Sequence, residues 1–155
     1  MRTFGTKRKT DEVGDAALIG RLIIVTGASS GIGYGTARRL AQIEGARVVA
    51  IARRRVFRIE ALAAQVREQT GEERIFPLTT DMADRAQAEA VVHQVAEKFG
   101  RIDGFIHAVN RALKLGALDV SDHEFDLTMQ VNVKSALYGV QAVVPILRRY
   151  GAGGI

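Results

Sequence analysis

Thr26-Gly27-Ala28-Ser29-Ser30-Gly31-Ile32-Gly33 follows the apolar run Leu22-Ile23-Ile24-Val25 and opens a helical pattern. A strand, a glycine turn and a helix in that order build a site for a diphosphate. The N–H groups at the helix start face the anion, and the helix dipole favours negative charge there. Glycine is expected in such a turn because a Cβ would hold the phosphates off the backbone. A glycine cluster alone is a weak signal. The strand before it, the helix after it and a basic residue at the end of the next strand make it a strong one.

Working outward, the apolar runs and glycine stops predict alternating strands and helices. Leu22–Thr26 reads as a buried strand. Ile32–Glu44 reads as a helix with Ile32, Ala37, Leu40 and Ala41 on one side, stopped by Gly45. Arg47–Ala52 is a second strand, Phe57–Gln69 a helix ended at Thr70-Gly71, and Arg74–Thr80 a third strand that Pro77 places at a sheet edge. Asp84–Phe99 is the clearest helix, with Ala88, Val91, Val92, Val95 and Phe99 in helical register, Asp84 able to cap it and Gly100 ending it. Phe105–Val109 reads as a fourth strand. A long helix from about Asp122 to Tyr150 carries Phe125, Met129, Ala136, Val140, Val143 and Leu147 on its face, with Pro145 expected to bend its last turns. Strands that are apolar throughout belong to a parallel sheet covered on both faces. The fold class is therefore α/β, a doubly wound parallel sheet with about four strands present. Residues 1–20 read as a flexible N-terminal tail and 21–155 as the N-terminal part of a nucleotide-binding domain, the final Gly-Ala-Gly-Gly-Ile forming a turn.

The chain has 155 residues, 47% of them apolar and 25% charged, within the range of a globular domain with its own core. It contains no cysteine, which excludes disulfides and thiolate metal sites and agrees with a cytoplasmic location. No metal-ligand set is read, no apolar run is long enough to span a bilayer, and the first fourteen residues lack a secretory apolar core. The net charge of +5 gathers at Lys7-Arg8-Lys9 and at Arg53-Arg54-Arg55 with Arg58. No basic stripe is interleaved with aromatic residues, so nucleic acid is not the expected partner.

Four features together resemble the short-chain dehydrogenase/reductase family over residues 20–155. They are the turn Thr26 to Gly33, Asp81 in Thr80-Asp81-Met82, Arg101-Ile102-Asp103 before the fourth strand, and Val131-Asn132-Val133 in the long helix. The resemblance implies a Rossmann-type fold, a nicotinamide cofactor, and hydride transfer at a carbonyl or alcohol carbon of a small molecule. It also implies cofactor contacts at Gly27, Ser29, Ser30, Gly31, Ile32, Gly33, Arg53, Asp81, Met82, His107 and Val109. Asp81 would accept from the adenine amino group, Met82 would add a backbone contact, and Asn132 would be the remaining member of the catalytic set, holding a water. A homo-oligomer is implied for the full-length parent. An acid at the end of the second strand would bind both ribose hydroxyls and repel a 2′-phosphate. Here Ala52 and then Arg53 occupy that place, which favours NADP(H) over NAD(H).

Two departures qualify the resemblance. The family's Asn-Asn-Ala-Gly at the fourth strand is here His107-Ala108-Val109-Asn110, with Asn110 expected to supply the backbone shape of the missing glycine through its tolerance of positive φ. His107, at a strand end, is read as a packed, hydrogen-bonded residue and not as an acid or base. The family's proton donor is a Tyr with a Lys four residues later. Residues Arg38, Ala142 and Gly154 follow Tyr34, Tyr138 and Tyr150 at that distance, so no such pair exists in the chain. The expectation is a fragment whose C-terminal half, with the Ser, Tyr and Lys, is absent and which does not turn over by itself. Such a cut would leave an apolar patch on the long helix. The alternative is a non-catalytic NADP(H)-binding or interaction module completed by a partner chain.

Overall fold

The computed structural model describes residues 17–113, 116 and 118–150. The expectations for residues 1–14 and for the last five residues lie outside them. Residues 17–20 form a turn in which Leu18 N donates to Glu44 O at 2.9 Å.

Four strands, β1 (Leu22–Thr26), β2 (Arg47–Ala52), β3 (Ile75–Thr79) and β4 (Gly104–His107), form one parallel sheet in the order β3-β2-β1-β4. β1 and β2 are buried almost throughout, since helices cover both faces. One face packs Ile23, Val25, Val48 and Ala50 against α1 (Gly31–Gln42) and α2 (Val56–Thr70) through Ala37, Ala41, Ile59, Leu62 and Val66. The other packs Leu22, Ile24, Val49, Ile51 and Phe105 against α3 (Arg85–Phe99) and the C-terminal helix through Val92, Val95, Val143 and Leu147. Pro77 stands in β3, an edge strand of this sheet, where its missing N–H costs least.

The strand order reverses beside β1. Successive strands run outward from β1 to β3, and the chain then crosses back to lay β4 on β1's other side. The loops after β1 and β4 therefore diverge to opposite faces and leave a crevice at the C-terminal ends of the strands, where open α/β sheets bind ligands.

Asp84 caps α3 by accepting from Gln87 N at 3.0 Å, and Gly100 closes it with φ +78°. At the opposite end of the sheet the nearly buried Asp103 carboxylate accepts from Leu22 N (2.8 Å), Arg21 Nη1 (3.1 Å) and Arg101 Nε (2.9 Å), tying the starts of β1 and β4 together.

The long helix is not one α-helix. It comprises α4 (Asp122–Met129), a π-helical turn over Gln130–Lys134, and α5 (Ser135–Tyr150), which continues through Pro145. In the π turn Ser135 N reaches back five residues to Gln130 O. Phe125 and Met129, expected on the packed face, are 55% and 38% exposed, and Val133 and Leu137 continue that exposed row at intervals of four. Val131 is buried beneath the cleft, Tyr138 and Val140 pack partly on the core, and the run of fully buried core side chains begins at Ala142. Ile32, also expected on the core side, is 84% exposed. It lies in the first turn of α1, beyond the strand ends, where no sheet remains to cover it.

Candidate cofactor cleft

The crevice is a cleft of about 920 Å³. Its floor is the glycine turn, with Gly27, Ser29, Ser30, Gly31 and Ile32. One wall is Ile51 to Arg55 from the end of β2, and a second is Thr80, Asp81 and Met82 after β3. The remaining side is Ala108 to Arg111 after β4, together with Leu127 and Val131 from the long helix.

The three glycines of the turn serve different ends. A Cβ on Gly27, at φ +68°, would press into the Ala108 carbonyl and lie 2.8 Å from Val109 N. A Cβ on Gly33 would lie 2.5 Å from Gly27 O. These two let the turn, the β4 loop and α1 pack together, so the reason expected for all three glycines, access of phosphate to backbone, does not apply to them. Gly31, at φ +54°, has nothing within 4 Å of its Cβ position and faces open space. It alone fits the phosphate argument. Ser30, the N-cap of α1, makes no side-chain cap bond. The first-turn N–H groups, which no helical carbonyl can satisfy, are left to the cleft.

Across the cleft, Arg53 Nη1 is 3.0 Å from Asp81 Oδ2, while Asp81 Oδ1 accepts from Ala83 N at 3.0 Å. Ala52 and Thr79 are register partners in β2 and β3, so the residues just beyond them meet. Arg54 and Arg55 extend the basic rim. Arg55 is the one non-glycine among the described residues with positive φ (58°). Asn110 does not have positive φ, contrary to expectation. Its backbone is instead part of a loop gripped at the next residue.

That grip comes from one face of the long helix. Asn132 Oδ1 accepts from Arg111 N at 2.7 Å, and Asn132 Nδ2 donates to Arg111 O at 3.0 Å. The Arg111 guanidinium reaches Thr128 Oγ1 (2.8 Å) and Glu124 Oε2 (2.5 Å). Asn132 thus lies behind the cleft lining with its amide turned to the β4 loop. Gln130 Nε2 likewise holds the Asp81 loop by donating to Ala83 O at 2.6 Å.

His107 also lies behind the lining. Its Nδ1 is 3.0 Å from Thr26 Oγ1 and its Nε2 is 3.0 Å from Ser135 Oγ. Ser135 Oγ donates to the Val131 carbonyl, so it accepts from His107 Nε2–H, and Nδ1 accepts from Thr26. Burial holds the imidazole below its ordinary pKa and keeps it neutral.

Of the sequence-derived site residues, Gly27, Ser29, Ser30, Gly31, Ile32, Arg53, Asp81, Met82 and Val109 line one cleft, whereas Gly33, His107 and Asn132 support it from behind. Sequence reasoning did not place Thr80, Arg111, Leu127 or Val131 there. Arg54 and Arg55 were visible as a charge cluster, but nothing local marks Arg111.

The family model for short chain dehydrogenase matches residues 21–155, and the chain belongs to that family. It is 34% identical over 134 residues to levodione reductase of Leifsonia aquatica, covering 86% of this chain and 49% of that protein. It is 36% identical over 141 residues to D-threitol dehydrogenase of Mycolicibacterium smegmatis, covering 91% and 53%. Among solved structures it is similar to L-sorbose reductase from Gluconobacter frateurii complexed with NADPH and L-sorbose, with a TM-score of 0.80 and 29% identity over 90% of this chain and 52% of that one. The chain spans about half the length of the curated relatives it matches.

Proposed function

We infer that this chain is the cofactor-binding part of a short-chain oxidoreductase, and that it holds NADP(H) in preference to NAD(H) in the cleft over the glycine turn. The observation that carries this is the convergence, in one cleft, of the uncapped first turn of α1 with three arginines at the end of β2. The amide groups at residues 31–33 would take the pyrophosphate, Asp81 and Met82 the adenine, and Val109 the nicotinamide half. The arginine rim would take a 2′-phosphate. When bound, the nicotinamide supplies the hydride chemistry. This chain's own residues bind and orient it, and Asn132 fixes the loop against which it lies.

The chain contains no Tyr with a Lys four positions on. An unperturbed Tyr titrates near ~10, too high to exchange a proton readily at neutral pH without such a cation. The 155-residue span is therefore expected to bind cofactor without reducing a carbonyl substrate. The exposed row Phe125, Met129, Val133 and Leu137 favours burial against further protein, in line with a homo-oligomeric parent. A cytoplasmic setting suits a phosphorylated dinucleotide.

Calorimetric titration of residues 1–155 with NADPH and NADH tests the reading. Saturable binding of NADPH, tighter than NADH, is the expected result. A well-folded chain that ignored both at millimolar concentration would overturn it.

A further inference from the structure

We propose that His107 is a positioning residue that links dinucleotide binding to a proton. The neutral ring holds the glycine turn, the β4 loop and the π turn in the binding geometry; protonation parts them and releases the dinucleotide. This rests on the dinucleotide reading of the cleft above and adds a control to it.

The ring joins three segments that line the cleft. Thr26, wholly buried and immediately before Gly27, meets Nδ1 at 3.0 Å. Ser135, also wholly buried and immediately after the π turn, meets Nε2 at 3.0 Å. The next residue along β4, Ala108, donates its N–H to Thr26 O at 3.2 Å, and its carbonyl fills the space that a Cβ on Gly27 would need. A shift of the imidazole is thus passed to Gly27, to Ala108 and Val109, and to Val131, whose carbonyl accepts from Ser135 Oγ. All four line the cleft.

Position 107 begins the stretch that matches the family's Asn-Asn-Ala-Gly, so a group that titrates stands where an amide would not. The neutral ring suits its surroundings, one nitrogen donating and the other accepting. The imidazolium does not, because it must donate from both nitrogens while Thr26 Oγ1 is already aimed as a donor. Among the described residues no carboxylate hydrogen-bonds the ring to compensate a charge. β1 and β4 carry no other charged residue. Lys134 of the π turn is exposed, Tyr138 of α5 lies under the Arg85 guanidinium, and Arg111 of the β4 loop pairs with Glu124. Burial is the influence left on the imidazole, and it disfavours the cation. A buried, unpaired cation is relieved when the ends of β1 and β4 separate and admit water. A dinucleotide lying across the glycine turn and the β4 loop opposes that separation. Proton and dinucleotide therefore weaken each other's binding by the same factor.

The test is calorimetric titration of the 155-residue chain and of His107→Asn with NADP⁺ between pH 8 and pH 5.5, circular dichroism confirming the folded state. The dissociation constant should rise as pH falls, by about threefold more in the unmodified chain than in the variant. The 2′-phosphate titrates in the same range, but alike with both proteins, so the comparison removes its effect. His93 and His123, both exposed, remain in the variant, so the difference reports position 107. A merely structural role would lower the variant's affinity equally at every pH. A second measurement needs no change at 107. In proton NMR, with the other two histidines assigned through His93→Gln and His123→Gln, the His107 pKa should be lower with NADP⁺ bound than without. Equal pH profiles in the two proteins, or a His107 pKa that saturation with NADP⁺ leaves in place, would overturn the proposal while the cofactor reading stands. If neither NADP⁺ nor NAD⁺ binds at pH 8, the cofactor reading falls and takes the proposal with it.

Discussion

His107 Nε2 and Ser135 Oγ lie 3.0 Å apart, joining the end of β4 to the first residue of α5 directly beneath the cleft. With Thr26 on the other ring nitrogen, a neutral imidazole has one donor and one acceptor satisfied. A protonated ring would have to donate to Thr26 Oγ1, whose own hydrogen would then have only the Ile106 carbonyl, at 3.5 Å, to turn to.

Stability should therefore fall on mild acidification. The unfolded chain takes up a proton at this histidine near its ordinary pKa of 6.5, whereas the folded chain does so only at lower pH. Between the two the unfolded state binds more protons, so stability is full above 6.5 and declines as pH drops through the window below it. Asp103 acts further down. Burial pushes its carboxyl up, but hydrogen bonds from Arg101, Leu22 N and Arg21 outweigh this and hold it below 3.8, so its contribution is lost only in stronger acid. Urea midpoints at pH 8, 6 and 5 check the upper window. In His107→Gln the decline between pH 8 and 5 should flatten.

The glycine turn should separate folding from binding. Gly27→Ala drives a methyl into the Ala108 backbone and should destabilise by more than the roughly 1–2 kcal/mol that a left-handed residue costs by itself. Gly31→Ala meets no neighbour, so only that conformational cost applies. Its methyl stands in the cleft, and dinucleotide binding should be lost from a protein that still melts cooperatively. Paired melts and titrations distinguish the two.

Asn132→Ala should act on the β4 loop. It removes both bonds to the Arg111 backbone, each partner being part-buried, at a cost of about 1–3 kcal/mol. Cofactor affinity should drop as well, because Ala108 to Arg111 form one side of the cleft. Hydrogen exchange should show faster exchange at Arg111 N–H than in the unmodified chain. Unchanged protection there would count against this role.

Gly139 on α5 packs directly on Phe105 of β4. A Cβ at 139 would run into the ring, with Cε1 at 3.0 Å and Cε2 at 3.2 Å, and Phe105 is almost wholly buried with no room to move. Gly139→Ala should cost about 1–3 kcal/mol by overpacking despite alanine's better helix propensity. A gain in melting temperature would refute this packing.

The sheet and its order of helices were legible in the sequence because their signals are local. Apolar runs at Leu22–Val25 and Val48–Ala52, the Asp84 cap and the Gly100 stop each act within a few residues of themselves. The family of the chain could be read from the same stretches. What was not legible depends on distant parts of the chain. Ile32 has the periodicity of a core residue, and only the position of the strand ends exposes it. The Arg53–Asp81 pair spans 28 residues and follows from β2 lying beside β3. The apolar rhythm of Gln-Val-Asn-Val-Lys at 130–134 continues that of its flanks, so nothing in composition marks the π turn.

That turn has a mechanical consequence. Glu124, Thr128 and Asn132 must look toward Arg111, while Gly139 must look toward Phe105. A helix advances about 100° per residue, so excising one residue between them would swing one set away from its target. The added residue works like a shim in a drive shaft: it sets the angular offset at which a single rod can clasp the cleft loop at one end and lie flush on the sheet at the other.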